Sequence, residues 1–294
     1  QGPRNVLRQR QNPDLLNPPR TDAGTMPNLR FSFSDAHVRL QPGGWTNEVT
    51  QRELPIATEI SGVQMHLNGG ETMTGVRELH WHTENEWAYM LAGTARITAV
   101  DQFGGSFVDD VNAGDLWFFP SGIPHSIQAH TEGCEFLLVF DDGSFSENGT
   151  LLLTDLLMHT PPEVVAKNFG QPESAFANLP KEELYIFWAP APPPLAEALV
   201  PAVDPNVEAP QFSFRMSAID HVAAPGGSVK IVDARRFPAT TISAALVEVE
   251  PGGMREIHWH PNSDEWQYYL EGSARMTVFA TSNIARTFDY EAGD

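Results

Sequence analysis

Short runs in which apolar and polar residues alternate recur along the chain, and Gly or Pro residues separate them. Clear examples are residues 63–67, 95–100 and 136–140. Side chains on a β-strand point to its two faces in turn, so this pattern predicts half-buried antiparallel strands. Many short strands joined by tight turns are typical of a β-sandwich or a small barrel. The predicted fold class is therefore all-β.

A different pattern lies between the strand-rich parts of the chain. Residues 161–170 have prolines at the start and Gly170 at the end, which predicts a short helix. A second, shorter helix is predicted over residues 172–179. Residues 189–210 carry seven prolines and no periodicity, so they are interpreted as a linker.

An internal repeat divides the chain in two. Phe31-Ser32-Phe33 recurs as Phe212-Ser213-Phe214, and Ala113-Gly114-Asp115 recurs as Ala292-Gly293-Asp294. The repeat predicts two barrels in tandem with short helices between them, and the second barrel is expected to be incomplete because its copy stops part-way. The predicted organisation is an extended N-terminal arm over 1–30, a first barrel over 31–153, a helical segment and Pro-rich linker over 154–210, and the incomplete second barrel over 211–294.

The strongest chemical signal is a His-x-His cluster followed by Glu, and it occurs twice. The first copy holds His80, His82 and Glu86, and the second holds His258, His260 and Glu265. Alternation places the two histidines of the first copy on one face of a strand, which together with a nearby carboxylate is a metal-binding geometry. A single copy could instead be a hydrogen-bonded core feature. Two copies that both keep the Glu predict two metal sites, or descent from a protein that had them.

A third histidine follows in the first repeat. Gly114, Pro120 and Gly122 bracket a hairpin that could return His125 beside the first pair. Three neutral nitrogens and one carboxylate would leave a six-coordinate ion with two adjacent open positions, which suit a small bidentate anion. Zn, Fe, Ni, Co and Mn all accept such ligands, so these residues do not choose the metal. In the second repeat the fourth ligand is expected eleven residues past Gly293, beyond this sequence.

Composition limits the partners. The formal charge of −20 excludes general affinity for nucleic acid or an anionic membrane, and no apolar stretch is long enough to predict a transmembrane helix. Cys134 is the single cysteine and lies in a predicted buried strand, so no intrachain disulfide is expected. Asp109 and Asp110 are interpreted as solvated turn charges. The acidic, Lys-poor composition and the start at Gln1 favour a secreted or extracellular protein.

The motifs resemble a known family. The spacing Gly-x5-Pro-x-Gly-x2-His ending at His125, with Glu-x6-Gly starting at Glu86, resembles the cupin signature, although Ala129 stands where the usual closing Asn is found. The segments 77–82, 107–111, 114–117 and 124–129 and the run 136–147 are similar to oxalate decarboxylases. This resemblance implies two cupin barrels of the double-stranded β-helix, or jelly-roll, type. It also implies one Mn(II) per barrel, dioxygen as co-catalyst, cleavage of oxalate to formate and carbon dioxide, and a homo-oligomer, either a trimer or a hexamer.

The resemblance also implies roles for two residues outside the metal cluster. Arg77 would bind the substrate carboxylate; its strand parity is opposite to that of His80, but a bulge could turn it inward. The alternative is a surface salt bridge near Glu78. Glu147 would close over the substrate as part of a mobile lid and move the proton. Gly149 replaces the usual Ser and should loosen the closed lid. The alternative is a solvated loop carrying a glycosylation sequon at Asn148, which is predicted to be unmodified.

Three other functions compete with a decarboxylase. An oxalate oxidase would use a similar metal site and release hydrogen peroxide, and Glu147 favours the decarboxylase over it. A non-enzymatic two-barrel storage protein would need the barrels but not the ligands. A two-barrel dioxygenase acting on a larger organic substrate is the third. Products and metal content separate these hypotheses.

Overall fold

The computed structural model describes residues 2–201 and 210–294, and most of its regular structure is β-strand. One sheet of eleven strands contains the whole first repeat. Its strands are β1 (Val38–Gln41), β2 (Gly44–Val49), β3 (Ser61–Leu67), β4 (Met73–Trp81), β5 (Glu86–Val100), β6 (Ser106–Asn112), β7 (Leu116–Phe119), β8 (His125–Phe140), β9 (Leu151–Leu152), β10 (Ile186–Pro190) and β11 (Ser213–Phe214). The predicted all-β class and the predicted strands around residues 63, 95 and 136 are confirmed.

Strand β8 organises the sheet because it pairs antiparallel with β3, β4 and β5 along its length. Strand β4 also pairs with β9 and β10, and β5 pairs with β6 and β7. The start of β8 shows the expected alternation: His125, Ile127 and Ala129 are buried, whereas the side chains between them are partly exposed. The inward side chains of these strands form one apolar cluster that includes Met90 and Phe136. This cluster lies on the same side of the sheet as the buried histidines.

The helices are short. They are α1 (Val6–Gln11), α2 (Leu153–His159) and α3 (Pro162–Phe169), and none of the described helices has the length and apolar character needed to cross a membrane. Helix α3 confirms the prediction for residues 161–170, and Gly170 ends it with a positive φ of 62°. The second predicted helix is a 3₁₀ turn over Glu173–Phe176.

Two predictions about connecting segments need correction. The N-terminal arm is not extended throughout, because the Asn5 side chain accepts a hydrogen bond from the Arg8 N–H and starts α1. The predicted linker at 189–210 begins inside β10, which pairs with β4, so its first residues belong to the sheet. Residues 202–209 of this linker lie outside the described residues.

Asp109 and Asp110 are not solvated turn charges, since both lie in β6. Asp109 pairs with Arg215 of the second repeat at 2.7 Å. Asp110 pairs with Arg96 and with His130 across neighbouring strands. These ion pairs tie the outer face of the first sheet together and link it to the second repeat.

Apart from β11, which pairs with β7 in the first sheet, the described strands of the second repeat form two smaller sheets. They comprise β12 (Val222–Ala224), β13 (Gly227–Val232) and β14 (Ala244–Val249), and the hairpin of β15 (Ser273–Thr281) and β16 (Ile284–Glu291). Residues 250–272, which carry the second His-x-His motif, contain no strand. A strand needs a hydrogen-bonded neighbour, and the described part of the second repeat holds no counterpart of β8. Met216, Val232 and Phe237 nevertheless pack against Phe33 and Leu137 in one core.

Candidate metal centre

The four residues predicted as ligands in the first repeat meet at one end of the sheet. His80 is the second-last residue of β4, His82 follows that strand, Glu86 begins β5 and His125 begins β8. The β4–β8 register places His80 directly opposite His125. All four side chains are buried, and one possible ligand atom from each lies within 4.8 Å of the others. The spacing therefore brings these residues together as predicted.

The three histidines are oriented in the same way. In each ring Nδ1 faces a backbone carbonyl two residues away, at 2.6 Å for His80, 2.9 Å for His82 and 2.7 Å for His125. A carbonyl only accepts, so Nδ1 carries the proton and donates it, which leaves a lone pair on Nε2. Burial lowers the pKa of His80 and of His125, and the nearby Arg77 lowers that of His80 further. Neutral imidazoles with a free Nε2 are the form that binds a metal.

Glu86 is held in its ionised form. Its Oε1 accepts a hydrogen bond from Trp117 Nε1 at 2.9 Å, and its Oε2 lies 3.3 Å from Nε2 of both His82 and His125. Burial acts to raise the pKa of Glu86, whereas protons on Nε2 of His125 and His82, or a cation bound in place of those protons, would bring it well below its usual value. One oxygen is thus fixed from outside the cluster, while the other faces the histidines.

These residues fit a divalent metal ion. A buried carboxylate and three neutral imidazoles carry one uncompensated negative charge, which is costly in a protein interior. His125 Nε2 has no hydrogen-bond partner within the described residues. A cation among the four ligand atoms would satisfy both. An N₃O set with positions left open suits several first-row metals, manganese included.

Arg77 enters the same cavity through a bulge. Arg77 pairs with Ile127 and His80 with His125, so β4 has one more residue than β8 over this stretch. Arg77 and His80 are three residues apart, so strict alternation would put their side chains on opposite faces of β4. The extra residue lets both side chains point inward. Arg77 is only 3% exposed, and the described residues place no carboxylate oxygen within 4.0 Å of its guanidinium nitrogens. The alternative of a surface salt bridge is wrong.

The Arg77 guanidinium is a buried cation with few partners. Its one side-chain hydrogen bond within the described residues goes to the Tyr185 carbonyl, at 3.4 Å. Burial lowers the pKa of Arg77 to about 10, so it remains charged at neutral pH. Most of its five N–H donors are left to bind an anion.

Glu147 closes the other side of the cavity. It starts a 3₁₀ turn over Glu147–Gly149, which Ser146 caps. Its Oε2 is shielded from solvent and has no partner among the described residues, so the alternative of a solvated loop does not hold for this side chain. Burial raises the pKa of Glu147 to about 7, and the neighbouring Glu48 contributes to the rise. Asn148 and Gly149, by contrast, are exposed on the outside of the turn.

The enclosed space is small. Its lining includes Arg77, Glu147 and Tyr185 together with the metal-ligand cluster, and the space open to the centre of a water molecule is about 10 Å³. That is room for about one water. A molecule with two carboxylates needs more room than this.

Three residues that support the site were not recognised from the sequence. Trp117 was noted only as part of a motif, but its indole orients Glu86. The Glu78 carboxylate accepts N–H bonds from Thr154 at 2.7 Å, Leu184 at 3.1 Å and Tyr185 at 2.9 Å. Tyr185 lies under Arg77. The only sequence signal for Glu78 was its position beside Arg77, and Tyr185 gave none.

The second cluster is present but open. Its three residues also offer ligand atoms within 4.8 Å of one another, and all three are exposed. His260 Nε2 lies 2.6 Å and His258 Nε2 lies 3.7 Å from Glu265 Oε2. His258 Nδ1 faces the Glu256 carbonyl at 2.8 Å, which repeats the arrangement of His80 with the Glu78 carbonyl. Within the described residues this site has three candidate ligands.

Comparison with known proteins agrees with this geometry. The Cupin family profile matches residues 32–174 and 216–294. The chain is therefore a member of the cupin family, and it contains the family's domain in two segments.

The individual relatives are more specific. The chain is 57% identical to the oxalate decarboxylase OxdC of Bacillus subtilis (strain 168), over 99% of this chain and 75% of that protein. It is 40% identical to a probable oxalate decarboxylase of Arthroderma benhamiae, over 96% of this chain and 70% of that protein. A structure of the Bacillus subtilis enzyme at pH 4.6 superposes with a TM-score of 0.95 at 56% identity, covering 100% of this chain and 76% of that one. Another, solved in a study of its Mn(II) centres, has the same TM-score and identity and covers 100% and 77%. Among the cupins, the chain belongs to the oxalate decarboxylase family.

Proposed function

We propose that this protein is a manganese-dependent oxalate decarboxylase that converts oxalate to formate and carbon dioxide, with dioxygen as co-catalyst. The observation that carries the proposal is the buried Arg77 guanidinium. It has no carboxylate partner among the described residues and lies in the same closed cavity as the His₃Glu cluster and the Glu147 carboxyl. A small dianion would satisfy the arginine and the metal together. Relatives that carry the name oxalate decarboxylase support the choice of substrate.

The side chains divide the work. His80, His82, Glu86 and His125 would hold Mn(II), which supplies the one-electron chemistry that weakens the oxalate C–C bond. Arg77 would bind and orient a substrate carboxylate. With the lid closed, the cavity would hold no more than about one water, which would limit side reactions with solvent.

Glu147 would move the single proton that the reaction needs. Singly protonated oxalate contains the same atoms as formate plus carbon dioxide, so a proton must travel from a substrate oxygen to the carbon that becomes formate. A carboxyl group whose pKa is raised to about 7 by burial can both accept and return a proton near neutral pH.

The test is a paired assay of formate and hydrogen peroxide from oxalate, under air and at acidic pH, on protein of known manganese content. Near-equal formate and carbon dioxide with little peroxide is the expected result. Glu147→Gln should lose formate by at least about a hundredfold, since positioned acid–base groups contribute on that scale. Glu59→Gln, an exposed glutamate on the surface, is the matched control. Metal-loaded protein that forms neither product would refute the proposal.

Oxalate oxidase is the second candidate, and one observation favours it. Gly149 stands at the exposed end of the lid turn, and a Cβ there would meet nothing within 4 Å, so it is the backbone freedom of glycine that would loosen the turn at this position. A lid that opens too readily would deny the intermediate its proton. Peroxide formed without formate would identify the oxidase.

We further propose one Mn(II) for each repeat. The second cluster supports this because it repeats the His258 carbonyl contact and the His–Glu pairing of the first. His80→Ala and His258→Ala should each remove one equivalent of manganese, whereas His221→Ala, an exposed histidine outside both clusters, should remove none. Loss of both equivalents from either variant would contradict independent sites.

Two properties follow from the family resemblance and the composition. We propose a trimer or hexamer, which light scattering of the intact protein would test. We also propose a secreted or extracellular location, which the acidic, Lys-poor composition favours and fractionation of the source cells would test.

A further inference from the structure

Tyr185 lies beside the site although it comes from the segment between the two repeats, immediately before β10. Its side chain is 1% exposed and lines the closed cavity. Among the described residues, Tyr185 is the only one other than glycine that has a positive φ, at 51°. Such a conformation is uncommon for a bulky residue and persists only where surrounding contacts hold it.

The Tyr185 ring lies between two guanidinium groups. The ring centroid is 4.0 Å from Arg77 Cζ and 3.5 Å from Arg39 Cζ. Two planar guanidinium groups at these distances would collide on one face, so they occupy opposite faces. Arg39 is also paired with Glu183, whereas Arg77 has no acidic partner among the described residues. The ring is thus the main contact of the Arg77 guanidinium.

The backbone of Tyr185 is fixed to β4 at the same point. Its carbonyl accepts bonds from Arg77 Nη1 at 3.4 Å and from the Glu78 N–H at 2.9 Å. Its own N–H donates to Glu78 Oε2 at 2.9 Å. Glu78 therefore holds Tyr185 from both sides, and this explains how the positive φ is maintained.

We propose that Tyr185 is the positioning residue of Arg77, which it holds ready to bind the substrate carboxylate. The proposal rests on the function proposed above. A carboxylate partner would hold Arg77 too, but it would occupy the in-plane N–H donors and neutralise the charge that attracts the substrate. An aromatic ring instead attracts the guanidinium from above or below the ring face. The N–H donors, which lie in the guanidinium plane, then remain free.

The hydroxyl of Tyr185 is not needed for this role. Oη is buried and has no hydrogen-bond partner among the described residues. Removal of an unpaired buried polar group costs little. Tyr185→Phe therefore keeps the ring and tests the hydroxyl, while Tyr185→Leu removes the aromatic face.

The experiment measures kcat and KM for oxalate, manganese content and melting temperature. Tyr185→Phe should leave KM within about twofold of the wild-type value. Tyr185→Leu should raise KM by about ten- to thirtyfold, the range of a desolvated cation–π contact. Its kcat should change less, because substrate capture is lost rather than transition-state binding alone. Phe237→Leu, in the core of the second repeat, controls for the loss of a buried ring.

Phenylalanines of increasing fluorination at position 185 provide a test that keeps the fold. Fluorine withdraws charge from the ring face at nearly constant shape, so KM should rise stepwise with fluorination. An unchanged KM in this series or in Tyr185→Leu, or an equal rise in Tyr185→Phe, would overturn the proposal. If the wild-type protein does not turn over oxalate, the proposed function fails separately. The affinity of each variant for oxalate, measured by calorimetry, should then fall in the same order as expected for KM.

Discussion

Replacing Trp117 by Phe should weaken manganese binding although Trp117 is not a ligand. Trp117 is fully buried in β7, and its Nε1–H donates to Glu86 Oε1 at 2.9 Å. Phe fills most of the same space but has no donor. The Glu86 carboxylate would then lose the bond that fixes its orientation, in a place where water cannot replace it.

The magnitude follows from the charge on the acceptor. A hydrogen bond to an ionised group contributes about 1.5–3 kcal/mol. Each 1.4 kcal/mol is about a factor of ten in affinity, so manganese should bind roughly 10- to 100-fold more weakly. Groups that orient metal ligands from outside commonly contribute on this scale.

Trp87 offers a matched control. It is also a buried tryptophan of the first repeat, but its Nε1 has no partner within the described residues. Trp87→Phe removes the same atoms without removing a bond to Glu86, so it should reduce the melting temperature but not the metal affinity.

Manganese affinity can be measured by competition with a chelator, with free Mn(II) followed by electron paramagnetic resonance. Melting curves of both variants separate loss of metal from loss of fold. Equal manganese affinity in Trp117→Phe and Trp87→Phe would refute the reasoning, whatever the change in stability.

Three further predictions concern the lid and its supports. Closure of the lid should weaken as pH rises, because burial raises the pKa of Glu147 from its ordinary 4.5 to about 7. The stabilisation of the closed form by protonated Glu147 is therefore complete below pH 4.5 and is lost as the pH rises through 7. Protease protection of the lid at pH 5 and pH 8 measures this, and Glu147→Gln should show no such dependence. Gly149→Ser should raise the ratio of formate to peroxide, because the added side chain meets nothing within 4 Å and the turn loses a flexible residue; an unchanged ratio would count against the loosened lid. Glu78→Gln should lower the free energy of unfolding in urea by about 1.5–3 kcal/mol, since its charge accepts three N–H bonds, whereas exposed Glu59→Gln should change it by less than about 0.5 kcal/mol.

The metal cluster of the first repeat could be predicted because its signals are local. Strand alternation puts His80 and His82 on one face, and the glycines and proline before His125 mark the hairpin that returns it. Arg77 shows the limit of this reasoning. Alternation along the sequence places Arg77 on the strand face opposite His80, although a substrate-binding role needs both on the same face. The bulge that resolves this depends on the pairing between β4 and β8.

The supporting residues could not be predicted because their contacts cross long stretches of chain. Trp117 meets Glu86 from 31 residues away, and Tyr185 meets Arg77 from 108 residues away.

The distance along the chain between the metal ligands and Tyr185 has a consequence for biosynthesis. The four ligands of the first site are complete once His125 has been synthesised, whereas Tyr185 comes 60 residues later. At the usual speed of translation these residues take roughly 3–12 s to add. A nascent chain can therefore gather its metal ligands before it can hold Arg77 in place, and the ability to recognise substrate matures later, when β10 docks on β4.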